Sequence, residues 1–166
     1  NRRDEVELSK PLIKKFYDGT LSKSEWLKSL GLKWFRLNTM YHIKDKDGTK
    51  CLLRPNAAQT LYYILLHQND IILKARQLGF TTFKMIFDLD DCLFKKNHSA
   101  GCIAHSDKDA KDIYRNKIRF AYRSIKPSVI RMLGLIGYKW PTPTNDKDNG
   151  YVFSNGSSIS VSTGYR

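Results

Sequence analysis

The residues of this chain whose types and order carry the most chemistry are Lys74, Ala75, Arg76, Gln77, Leu78, Gly79, Phe80, Thr81 and Thr82. They follow directly on the apolar run Ile71-Ile72-Leu73, and a helical pattern begins behind them. A buried strand, a turn with a glycine, paired hydroxyls and a helix start are the parts of a phosphate-binding loop. Backbone N–H groups at a helix N-terminus face the anion, and a threonine hydroxyl can join the shell of Mg²⁺. On this reading Gly79 makes the tight turn, Thr81 meets Mg²⁺ and Thr82 adds a phosphate contact. The usual pattern G-x-x-x-x-G-K-[ST] is incomplete, because Lys74 stands at the first glycine and Phe80 at the lysine. Lys74, at the end of the strand, can reach the β- and γ-phosphates and replace the missing charge. Arg76 is the other candidate. The plainer alternative is a surface turn with ordinary basic residues.

A second element lies upstream, in Leu53-Arg54-Pro55-Asn56-Ala57-Ala58-Gln59. Asn56 is placed to cap a helix, with Gln59 in its first turn. A glutamine amide can pair with both N6 and N7 of adenine. Alone, Gln59 reads as a solvated helix residue; beside a phosphate loop, it reads as an adenine contact.

Together these two motifs resemble the adenine-binding and deviant Walker A motifs of the large terminase subunit of tailed bacteriophages, the ATP-driven motor that packages genomes. Gly101-Cys102-Ile103-Ala104-His105-Ser106-Asp107-Lys108-Asp109-Ala110 and the closing Ser162-Thr163-Gly164-Tyr165-Arg166 are similar to that family as well, so the resemblance spans residues 50–166. It implies a P-loop fold of the RecA-like (ASCE) kind, a parallel sheet flanked by helices. ATP and Mg²⁺ are the implied cofactors, with Lys74 and Arg76 on the phosphates. Arg166 matches a candidate finger that reaches a neighbouring subunit's ATP; its alternative is an ordinary surface arginine. In the family, the Walker B Asp, the catalytic Glu and a nuclease domain follow the segment that closes here at Arg166. The expectation is therefore the N-terminal part of such an ATPase, binding nucleotide with little turnover alone. Double-stranded DNA, a small terminase subunit, a portal protein and a homo-oligomeric ring are the implied partners, in the host cytoplasm.

The elements that must position these residues read as follows. Residues 1–33 are helical, with a capping box at Ser22-Lys23-Ser24-Glu25 and a stop at Gly31. Trp34–Ile43 and Lys50–Leu53 are strand-like around the turn Asp45-Lys46-Asp47-Gly48. A soft boundary near residue 50 separates an accessory segment, 1–49, from the ATPase part, 50–166. Helix 56–68 presents Ala58, Leu61 and Leu65 on its apolar face, and Ile71–Leu73 is a short buried strand. After the loop, a helix runs from about Thr82 to Lys95, then a buried strand over Ala100–Ala104. This strand, helix, strand order is the βαβ unit of a parallel sheet. Asp107–Ile125 is an amphipathic helix, with Ile113, Ile118, Ala121 and Tyr122 inward, ended by Pro127. Pro141–Gly150 is a polar loop. The end is a hairpin of Tyr151–Phe153 and the alternating Ile159 and Val161, turning at Asn155-Gly156. Met85 to Asp91 mimics a Walker B strand, but it lies where the loop's own helix must run. Asp88, Asp90 and Asp91 are therefore read as a polar helix face.

A net charge of +13, from 29 basic and 16 acidic residues, suits a polyanion partner. The cations are spread along the chain, so a solvated, lopsided surface is the competing reading. No apolar run reaches the roughly 18 residues of a membrane span, and no secretory signal is visible. Three cysteines, Cys51, Cys92 and Cys102, suit a reducing compartment. Cys102 and His105 have a metal-like spacing, but without a second pair Cys102 reads as strand packing. Two other classes stay open. A helicase-like P-loop motor would share the glutamine and the loop, and a non-enzymatic basic nucleic-acid-binding module would need neither.

Overall fold

The computed structural model describes residues 1–73, 78–147 and 149–164. Helices α1 (Arg2–Tyr17), α2 (Lys23–Ser29) and α3 (Lys33–Thr39) come first. The short strands β1 (His42–Lys44) and β2 (Lys50–Leu52) then pair as an antiparallel hairpin. Helices α4 (Ala57–Leu65) and α5 (Phe80–Phe94) flank the loop region, and β3 (Ser99–Ala104) follows. α6 (Asp107–Ile113), a π-helical segment (Tyr114–Arg119) and α7 (Phe120–Arg123) make one continuous rod. α8 (Pro127–Leu135) leads to β4 (Pro143–Lys147), β5 (Gly150–Phe153) and β6 (Ser158–Thr163).

The architecture is mixed α/β. Among the described residues the main sheet has four strands in the order β3-β6-β5-β4. It is mixed and not wholly parallel. β3 runs parallel to β6, with Ala104 opposite Thr163, while β5 is antiparallel to both β6 and β4. The parallel pair is joined through α6–α8 and the β4–β5 hairpin. Helix α5 forms where the crossover was expected, but Ile71–Leu73 does not form the strand before it, so the expected βαβ unit is incomplete.

α5 is the central beam. It carries buried Phe83, Met85, Ile86, Phe87, Leu89, Cys92 and Leu93. A helix apolar on nearly all sides has to be enclosed, and α5 is packed against α3 on one side and against β3 and β6 on the other. Its start matches the sequence expectation within two residues. The capping box at Ser22 and Glu25 and the β5–β6 hairpin are also as expected.

Six expectations are corrected. Trp34–Thr39 is helical, not strand-like, because Trp34, Phe35 and Leu37 are all buried and Arg36 must turn inward as well. Asp88, Asp90 and Asp91 lie on a helix, as expected, but they are buried and paired where a polar face would meet solvent. Arg36 donates to both oxygens of Asp90 through Nε at 2.9 Å and Nη2 at 2.7 Å, and the Tyr41 hydroxyl donates to Asp90 at 2.6 Å. Asp91 pairs with Lys33 and Lys95, and Asp88 with Lys84. On α4, Gln59 and Tyr63 are buried while Leu61 and Leu65 are exposed. Ile71–Leu73 forms no strand, and Ile71 and Leu73 are 93% and 96% exposed. A strand needs a hydrogen-bonding neighbour, and none is present for this run among the described residues. Finally, residues 143–147 of the expected polar loop form β4. The Tyr114 hydroxyl, Arg119 and Arg123 hold this polar edge strand through Asp146. Pro127, expected as a helix stop, occupies the first turn of α8, where a missing N–H costs nothing.

The packing runs across residue 50, since Arg36 and Tyr41 bond to Asp90. Among the described residues no helix is long and apolar enough to cross a membrane.

Candidate functional site

Gly79 occupies the N-cap of the fifteen-residue α5 with φ 68° and ψ 13°. That left-handed conformation is relaxed for glycine and strained for other residues. Among the described residues no side chain caps the helix. Its first internal bond is Phe83 N–H to Gly79 C=O at 3.0 Å, so the N–H groups before Phe83 have no acceptor within the helix. Their partial positive charge adds to that of the helix dipole.

α4 holds the other side of this turn. Asn56 caps α4 by accepting from Gln59 N–H at 2.9 Å, and Gln59 Oε1 accepts from Asn56 N–H at 3.1 Å. The Gln59 amide then reaches across, its Nε2 donating to the Leu78 carbonyl at 3.0 Å. Asn56 Nδ2 donates to the same carbonyl at 3.3 Å. The local sequence supplies the capping box, but only the fold brings it against the loop.

In front of the α5 N-terminus lies a cleft of about 520 Å³. Gly79, Thr81 and Thr82 line one wall, while Ala104 and His105, at the C-terminal end of β3, line another. Ligands of α/β sheets commonly sit beyond the carboxyl ends of parallel strands, next to helix N-termini. Asp109 and Asp112 of α6 and Lys117 of the π-helical segment complete the walls. Asp109 also accepts from Ser106, and Asp112 from Asn116.

Of the sequence-predicted residues, the fold therefore gathers Gly79, Phe80, Thr81 and Thr82 at one cleft. Gln59 lies behind the turn, in contact with the loop. Phe80 is buried, its ring 5.7 Å from that of Tyr62, and it anchors the helix start where a lysine was expected from the usual motif. Leu78 is exposed and contributes its carbonyl. Lys74, Ala75, Arg76, Gln77 and Arg166 lie outside the described residues. Gly164 follows directly on Thr163, which pairs with Ala104 at the cleft edge.

Lys117, Asp109 and Asp112 were not picked out from sequence. They belong to a run of charged helical residues in which nothing marks one face, and the π-helical turn changes which of them point the same way. Burial pushes the Cys102 thiol up, which keeps it protonated and suits packing better than ligation. No cluster of three or more His, Cys, Asp or Glu suited to a metal is present among the described residues. No protein-family model matches the chain, and no curated protein matches its sequence.

Proposed function

We propose that this chain binds Mg²⁺-ATP at the N-terminus of α5, as the nucleotide-binding part of a DNA-packaging ATPase of the large terminase kind. The observation that carries the reading is the left-handed Gly79 at the mouth of an uncapped helix, with Thr81 and Thr82 facing a cleft at the end of a parallel strand. On this reading the P-loop fold is the finer description of the mixed α/β architecture. The α5 N–H groups cradle a phosphate, Thr82 adds a hydroxyl, and Lys117 brings a cation from the opposite wall. Lys74 or Arg76 supplies the charge that the usual lysine would give. Asp109 and Asp112 would repel a bare polyphosphate, which favours a ligand that arrives with its metal. Bound Mg²⁺ would supply neutralisation of the phosphate charge. Arg166 as a finger toward a neighbouring subunit, the ring, duplex DNA, the small subunit and the portal all follow from the motif resemblance.

The test is calorimetric titration with ATP, with and without Mg²⁺, of wild type and Thr81→Ala. Thr81→Ala should weaken Mg²⁺-ATP markedly more than metal-free ATP. Equal losses would remove Thr81 from the metal, and no ATP binding by the wild type would end the nucleotide reading.

A further inference from the structure

The side chain expected to read the base has both ends of its amide engaged elsewhere. Gln59 Oε1 is taken by the Asn56 N–H and Nε2 by the Leu78 carbonyl, and the residue is 5% exposed. Neither Asn56 nor Gln59 lines the cleft, whereas Gly79 does. A peptide unit is planar and trans, so its C=O and N–H point in opposite directions. Two donors from α4 pin the Leu78 carbonyl, and the N–H of the same peptide belongs to Gly79. That N–H is thereby turned away from α4. Packing adds to the constraint, because a Cβ built on Gly79 would lie 2.9 Å from Gln59 Nε2.

We infer that Gln59 is a positioning residue for the phosphate loop: with Asn56 it clasps the Leu78 carbonyl, fixes the Leu78–Gly79 peptide and presents the loop N–H groups to phosphate, whatever base the nucleotide carries. This rests on the proposed phosphate site and changes what that site recognises. Selectivity for adenine then has to come from elsewhere, and affinity for the phosphate chain depends on a contact made behind it.

The experiment compares wild type with Gln59→Met, which keeps length and neutrality but removes both the donor to the Leu78 carbonyl and the acceptor of the Asn56 N–H. Asn56 can still cap α4 through the Gln59 backbone N–H in this variant. Each protein is titrated with Mg²⁺-ATP, Mg²⁺-GTP and inorganic tripolyphosphate with Mg²⁺, and amide hydrogen exchange is followed without ligand. All three affinities should fall together by about three- to tenfold, the effect of losing the Leu78 clasp. Exchange should quicken in residues 78–82 and stay unchanged in α1 and the β5–β6 hairpin. A loss confined to ATP, with GTP and tripolyphosphate unaltered, would make Gln59 an adenine reader and overturn the inference. So would unchanged binding of all three, or faster exchange throughout the chain, which would show a general support of the fold. If wild type bound none of the three, the phosphate site itself would fall, and the inference with it.

Discussion

Arg36 and Asp90 show how a single pair can decide the packing of a helix. The two are separated by 54 positions, yet the guanidinium meets the carboxylate through two parallel bonds. Burial works against the guanidinium, and Asp90 more than offsets it, so Arg36 stays charged. Arg36→Met would leave Asp90 buried, with Tyr41 as its remaining hydrogen-bond partner among the described residues. Such an uncompensated charge costs on the order of 3–5 kcal/mol, and urea unfolding should show it. Arg36→Lys should recover little, because an ammonium cannot reproduce the fork. Asp91 makes a second, pH-dependent case. Burial raises its carboxyl, but Lys33 and Lys95 outweigh burial and hold it below the usual range. Lys33 itself is pulled down by burial, with Asp90 and Asp91 offsetting this only in part, so the carboxylate is the better-satisfied partner. A carboxyl depressed in the folded state stabilises above the unfolded value of about 4. That contribution fades as pH falls through the lower folded value. The stability gap between wild type and Asp91→Asn should therefore be full near neutrality and close on acidification, as read by melting at several pH values. The placement of Gly79 at a helix start, with Thr81 and Thr82 in the first turn, was legible in sequence because it depends on local order. The Arg36 pair was not, since the three aspartates of α5 look like any polar helix face until α3 is laid against them.

The starts of α2 and α4 were legible because each depends on four consecutive residues, whereas α3 read as strand and α8 was not expected. The capping boxes at Ser22–Glu25 and Asn56–Gln59 both formed. β5 and β6 were legible from the turn at Asn155-Gly156 between them, and β3 from its apolar run at Ala100–Ala104. β4 was missed because its residues are polar and its stability comes from Asp146 held by two arginines and a tyrosine. The β5–β6 pair has a tight point of its own. A Cβ on Gly150 would lie 2.7 Å from the Ile159 carbonyl oxygen of the neighbouring strand. Gly150→Ala must push β5 away from β6, a steric cost of about 1–3 kcal/mol. It should lower the melting temperature and speed amide exchange in β5 and β6 ahead of α1. An unchanged melting curve would show that the strand edge gives way freely.

For the molecule as a whole, the excess of cations and the exposed apolar residues stand out. Leu61, Leu65, Ile71 and Leu73 all face solvent, and Leu61, Leu65 and Ile71–Leu73 line one shallow cavity. The net charge of +13 gives a direct test of a polyanion partner. If duplex DNA neutralises six to ten cations, affinity should fall by roughly 10³- to 10⁵-fold between about 50 and 200 mM salt. Filter binding at several salt concentrations measures that slope. A flat slope would mean that the charge is solvated surface.

By itself, the sequence determined where most helices begin, the β5–β6 hairpin and the order of a phosphate-loop-like segment, because backbone caps and turns are closed by residues a few positions apart. The tertiary structure alone decided that α4 turns Gln59 and Tyr63 inward, that the aspartates of α5 are paired and that Lys117 shares a cleft with Thr81. It also decided that Ile71–Leu73 stays out of the sheet. Each of these depends on which distant surface is available to satisfy a hydrogen bond, a charge or an apolar face.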